Sequence, residues 1–192
     1  MRNNRKRYVD NDLTTDELLS RVRIEKTVPS DIGAVSKMMF KEFHIDSCAE
    51  ARFELIDTNA NFNESVKVVD PETGDIYGAL IFSDYPLEET TTALDEEITK
   101  LIENHPQVNG FVFLLDERLR GTGIDRKMLT YNLGFIKENY DIIWCGVAKY
   151  LHSGDYWKRN GFKEICEDED STFYMLLIDE NFSMRYLYEM NV

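Results

Sequence analysis

The chain has 192 residues, with 36 acidic against 22 basic side chains, a formal net charge of −14, 43% hydrophobic and 12% aromatic residues. This content belongs to a folded globular protein with a substantial core, and the charge argues against a nucleic-acid partner, which needs a basic face. No apolar run reaches membrane-spanning length and no apolar segment comes after Met1-Arg2-Asn3-Asn4-Arg5-Lys6-Arg7, so a cytoplasmic protein with no membrane partner is expected.

Cys48, Cys145 and Cys166 are scattered and read as reduced thiols. His44, His105 and His152 lie far apart, and no metal site is expected. Residues 1–18 read as a polar lead-in whose basic cluster is a solvated tail, and 19–192 as one domain.

Val22–Lys26 alternates as a strand does. Pro29-Ser30-Asp31 opens a helix with Ser30 as N-cap, and Ile32, Val35, Met38, Met39 and Phe43 recur at helical spacing. A second helix covers Cys48–Ile56, with Ala51, Phe53 and Leu55 partly buried. Ser65–Val69 and Ile76–Phe82 form a hairpin around the turn residues Asp70–Asp75. Thr91–Asn104 reads as a helix capped by a Thr and stopped by Pro106. Gly110–Leu115 is a nearly continuous apolar strand, as expected of one buried on both faces. A helix from Ile124 to about Asn139 precedes a second such strand, Ile142–Ala148. A short helix through Tyr156 and Trp157 ends at Asn160-Gly161. Phe162–Ile165 and Phe173–Ile178 close the chain as a strand pair around Glu167-Asp168-Glu169-Asp170.

The most informative stretch joins the first buried strand to its helix: Leu114-Leu115-Asp116-Glu117-Arg118-Leu119-Arg120-Gly121-Thr122-Gly123-Ile124-Asp125-Arg126-Lys127. A glycine-bearing turn that opens into a helix presents backbone N–H groups and a positive helix end to one point, which suits a phosphate. It is not a P-loop, since no Gly-Lys-Ser/Thr is present, and not a dinucleotide fingerprint, since Arg126 stands where a third glycine is needed. It resembles motif A of the GCN5-related N-acetyltransferases (GNAT), in which an Arg or Gln, two residues, Gly, one residue and Gly or Ala wrap the pyrophosphate of acetyl-CoA. Two registers fit, from Arg118 or from Arg120. The second also places the apolar Leu119 and Met128-Leu129 toward the core, and it puts Asp125 where the family has Gly or Ala.

Trp157-Lys158-Arg159-Asn160-Gly161-Phe162 resembles motif B of the same family, with an aromatic four residues before Gly-Phe. The element order matches the family fold over roughly 20–180. The resemblance therefore implies an α/β protein of the acyl-CoA N-acyltransferase fold: a mixed central sheet with splayed central strands and helices on both faces.

It further implies acetyl-CoA as co-substrate. The backbone of Phe113, Leu114 and Leu115 would bind its pantetheine, and Arg120, Gly121, Thr122, Gly123, Ile124 and Asp125 its pyrophosphate. The reaction implied is acetyl transfer to a primary amine of a small molecule or peptide. The family's usual proton donor, a Tyr, is replaced by Trp157, which gives up no proton at useful pH. Tyr150 and Tyr156 flank its place and are the candidate catalytic residues, with His152 and Glu117 as weaker alternatives. The acceptor would lie among Phe43–Glu50, Phe82–Glu97 and Glu167–Ser171, whose acidic side chains suit a cationic amine. The missing Tyr and the presence of Asp125 leave a non-catalytic acyl-CoA-binding module as the alternative. An unrelated α/β domain with an empty turn is a third reading. The sequence leaves monomer and homodimer open.

Overall fold

The structure, a computed structural model, describes residues 13–43 and 45–178; the basic tail 1–12 and His44 lie outside them. Seven strands form one mixed sheet in the order β1-β2-β3-β4-β5-β7-β6. They are β1 (Arg23–Lys26), β2 (Ala60–Val69), β3 (Ile76–Ser83), β4 (Gln107–Leu115), β5 (Ile142–Ala148), β6 (Lys163–Glu167) and β7 (Ser171–Leu177). The helices are α1 (Thr15–Arg21), α2 (Ile32–Glu42), α3 (Cys48–Asp57), α4 (Leu87–Thr90), α5 (Glu96–Asn104), α6 (Ile124–Ile136) and α7 (Gly154–Arg159). The chain forms two compact units, one of 13–81 with Val112–Asn132 and the other of Phe82–Phe111 with 133–178.

The first unit begins with a helix inside the expected lead-in. The Thr14 hydroxyl accepts from Glu17 N–H, and the Glu17 carboxylate accepts from Thr14 N–H at 2.8 Å. This reciprocal box starts α1, whose single buried side chain is Leu18. Ser30 is not the cap of α2. A 3-10 turn, Pro29–Asp31, opens that helix, because the Asp31 carboxylate accepts Val28 N–H at 2.9 Å and Lys67 Nζ of β2 at 2.7 Å. The ion pair is almost wholly shut from water, with side-chain exposures of 0% for Asp31 and 7% for Lys67. β1 and β2 pair antiparallel from Arg23↔Val69 to Lys26↔Val66. On α3 the buried residues are Ala51 and Leu55, one turn apart, so Phe53 between them faces out and is 68% exposed rather than partly buried.

The second unit is built on an apolar cluster of Leu87, Ile102, Ile142, Trp144, Phe173 and Met175, with Leu94, Ile98 and Leu101 packed against it. The expected helix over Thr91–Asn104 starts only at Glu96, as α5, and the short α4 precedes the expected span. Asp95, not a Thr, caps α5 by accepting Ile98 N–H at 2.8 Å. β5 and β7 pair antiparallel along their whole length, Ile142↔Leu177 to Ala148↔Ser171. The parallel ladder between β4 and β5 has three pairs and ends at Asn109↔Trp144. Among the described residues no helix is long and apolar enough to cross a membrane.

Candidate active site

In the first unit, β4 ends at Leu115, and the turn beyond it is fixed by Asp116. Its carboxylate accepts Arg118 N–H at 3.1 Å and both Arg118 Nε and Nη2 at 2.8 Å. Burial pushes this carboxyl up, but the bonds from Arg118 outweigh it and hold Asp116 below the usual carboxylate range. Arg118 also donates to Leu13 O at 3.3 Å and lies 5.7 Å from the centre of the Tyr77 ring. It is therefore occupied in holding the 3-10 turn Glu117–Leu119 against Leu13, just ahead of α1.

Arg120 comes next. Its Nε donates to Leu115 O at 3.0 Å, and Nη2 meets the Glu42 carboxylate, at the end of α2, at 2.6 Å. Its side chain stays 54% exposed. One backbone carbonyl at the expected pantetheine strand is thus already in use. Phe113 is half-buried, while Leu114 and Leu115 are buried. Two arginines that look, in sequence, like loose positive charge around the turn are each held by a carboxylate.

The turn itself depends on two left-handed glycines, Gly121 at φ 75° and Gly123 at φ 84°. A Cβ at either would meet no protein atom within 4 Å. The glycines are needed for their backbone angles, and the surface they leave is open. Thr122 braces the turn by donating to Leu119 O at 2.6 Å. The first α6 hydrogen bond across the junction runs from Lys127 N–H to Gly123 O at 3.1 Å. The N–H groups of Ile124 and Asp125 stand in the first turn, ahead of any intrahelical acceptor. An open glycine surface leading to the start of a thirteen-residue helix fits a pyrophosphate. Asp125 is half-buried and makes no ion pair or hydrogen bond among the described residues.

In the second unit, β5 leads through a 3-10 turn, Lys149–Leu151, to α7. Tyr150 in that turn is 48% exposed. Tyr156 is half-buried on α7 and meets Trp157 edge-on, with ring centres 5.3 Å apart. Trp157 is buried and makes a second edge contact with Phe162 at 4.9 Å. The motif-B aromatic is thus a packing residue that fastens α7, and Gly161 at φ 86° ends that helix. His152 is exposed in a left-handed turn conformation, and Glu117 is exposed. Burial pushes the Cys145 thiol of β5 well above its ordinary range, so it stays a neutral thiol.

The acidic side chains expected at an acceptor site are exposed, and several hold structure. Glu50 accepts Asp46 N–H, Asp84 accepts the Tyr140 hydroxyl, and Glu88 accepts from Gln107. Tyr174 of β7 is a residue that the sequence does not single out: it is a buried aromatic within the continuous apolar run Phe173–Leu177, whose pattern says nothing about its hydroxyl.

No protein-family model and no curated protein sequence matches the chain. Solved structures do. The chain is similar to NAA60 of Arabidopsis thaliana, solved in complex with a bisubstrate analogue, with a TM-score of 0.62 at 16% identity over 82% of this chain and 99% of that one. It is similar to PH1933 from Pyrococcus horikoshii OT3, with a TM-score of 0.60 at 16% identity over 82% and 99%. A GNAT family N-acetyltransferase (YhbS) from Escherichia coli, in complex with CoA, gives 0.57 at 19% identity over 85% and 84%. With these neighbours and its mixed seven-stranded sheet, the chain has the acyl-CoA N-acyltransferase fold of the GNAT acetyltransferases.

Proposed function

We propose that the chain is an acetyl-CoA-dependent N-acetyltransferase acting on a primary amine of a small molecule or peptide, in a cytoplasmic setting. The observation that carries this reading is the open, doubly left-handed turn Gly121–Gly123 at the start of α6. In it, the N–H groups of Gly123, Ile124 and Asp125 bind the pyrophosphate, Thr122 keeps the turn in shape, and Arg120 exchanges Glu42 for a phosphate oxygen. The backbone of Phe113 and Leu114 pairs with the pantetheine. When bound, acetyl-CoA supplies the thioester carbonyl that an amine attacks. The chain's part is then to orient that carbonyl and to return a proton to the leaving thiolate. Tyr150, exposed on its turn, is the first candidate for that proton, and Tyr156 the second. The acidic side chains of Glu167–Asp170 favour a cationic acceptor.

An acetyl-CoA consumption assay against a mixed panel of amines and peptides tests the activity, with thermal unfolding in excess acetyl-CoA run alongside. Tyr150→Phe should slow turnover and leave the acetyl-CoA-induced rise in Tm intact; an unchanged rate removes Tyr150 from the chemistry. The buried Trp157 at the motif-B position favours a second reading, a non-catalytic acyl-CoA-binding module. That module would bind acetyl-CoA and release no thiol with any acceptor. An acetyl-CoA excess that leaves Tm unmoved would count against both.

A further inference from the structure

The second unit contains a cavity of about 350 Å³ between the end of β5, the start of α7 and the first half of β7. Its floor is Tyr174, 4% exposed, whose hydroxyl lines the cavity and has no hydrogen-bond partner among the described residues. The hydroxyl stands where it does because residue 154 is glycine: a Cβ there would collide with it. Burial pushes this hydroxyl above the ordinary tyrosine range, and Glu164 adds to the effect, so it is neutral and keeps both a donor and lone pairs.

The charges around the cavity do not cancel. Lys158 is held by Glu164 at 2.8 Å, and Lys149 lies 3.5 Å from Glu167 while donating to Asp168 O at 2.6 Å. Both cations of the lining are thus matched by carboxylates of β6. Asp155, the carboxylate of the lining, has no ion pair or hydrogen bond among the described residues. What the cavity offers an incoming molecule is the Asp155 carboxylate, within electrostatic reach of Lys158 but bonded to no cation, and the hydroxyls of Tyr174 and Thr172. An alkylammonium has three N–H donors and no acceptor.

We propose that this cavity binds the primary ammonium group of a small molecule, with Asp155 as counter-ion and the Tyr174 and Thr172 hydroxyls as acceptors. The site goes beyond the acetyltransferase reading and stands without it. A nitrogen held against a carboxylate stays protonated, so it is recognised here and not acetylated.

Calorimetric titration of the full chain with diaminobutane tests the site, with butanediol as the neutral isostere and succinate as the anion of similar length. Saturable diamine binding is expected, with no binding of either control. Asp155→Asn, a substitution on the surface, should weaken it about tenfold, and Tyr174→Phe about threefold. Binding by butanediol equal to the diamine, tighter binding of succinate, no saturation, or an unchanged affinity in Asp155→Asn would each overturn the proposal. The acetyl-CoA-induced Tm shift, measured on the same samples, should be the same in both variants and in the parent. Its loss in the parent would bear on the acetyltransferase reading alone.

Discussion

The two units of the chain are held by different means. The first, which carries the Gly121–Gly123 turn, is pinned by directional polar contacts: Asp31 with Lys67, Asp116 with Arg118, Thr27 Oγ1 to Phe62 O at 2.5 Å, and Asn132 Nδ2 to Glu64 O. The second is filled by the Leu87, Ile102, Ile142, Trp144, Phe173 and Met175 cluster. The Trp144 Nε1–H is buried there without a partner among the described residues, and the Tyr174 hydroxyl, which opens on the cavity, has none either. Polar ties have narrow geometries and fix backbone positions, which a ligand-shaped turn needs. An apolar cluster tolerates more adjustment of its side chains.

The sharpest test of this contrast is Lys67→Met. It takes the Lys67 ammonium away from the fully buried Asp31 carboxylate, and a loss of about 3–5 kcal/mol is expected in urea unfolding. Adding Asp31→Asn should recover part of that loss; no recovery would mean that packing, not charge, is what Lys67 supplies. Next is Gly123→Val, which forces a β-branched residue to φ 84°. About 1–2 kcal/mol of stability should go, and with it the acetyl-CoA-induced rise in Tm. A retained rise would remove the turn from cofactor binding.

Acid unfolding probes the same unit through Asp116. Its carboxyl titrates below its unfolded value, so its contribution is present above the ordinary Asp range near about pH 3.9. The contribution is lost as pH falls through the lower folded value. Asp116→Asn should be less stable at neutral pH and show a flatter acid limb; an acid limb of parental steepness would contradict the clamp. In the second unit, Trp144→Phe gives up some contacts but also removes a buried donor without an acceptor. A net change within about 1 kcal/mol is expected, and a much larger loss would show that the indole edge matters to the core. The smallest effect belongs to Glu42→Gln. The Arg120 pair is substantially exposed, so stability should move by less than about 1 kcal/mol. Affinity for acetyl-CoA should rise, because the guanidinium no longer has a carboxylate to leave; weaker binding would make Glu42 a support of the loop instead.

The same division governs what is legible in the sequence. Apolar runs identify the second unit's strands well: Ile142–Ala148 has the bounds read from its residues, and the Gly-ended short helix stands where Asn160-Gly161 puts it. The glycine turn is legible too, since positive φ and helix entry leave a local mark. α1 is not, because a four-residue box and one buried leucine carry it, with no periodic stripe. Ser30 looks like a cap because the real partner of that turn, Lys67, lies 36 residues from Asp31. The occupation of Arg120 by Glu42 spans 78 residues. Contacts of that range join positions whose residue types are ordinary on their own.

The Glu42–Arg120 link has a consequence for how binding responds to ionic strength. An anion arriving at Arg120 meets a guanidinium already neutralised at 2.6 Å, so its capture is an exchange of one anion for another. Added salt weakens the contact that is lost along with the contact that is gained. The affinity of the turn for phosphate should therefore fall with salt more gently than its count of basic residues suggests, the backbone N–H groups carrying the part that screening leaves.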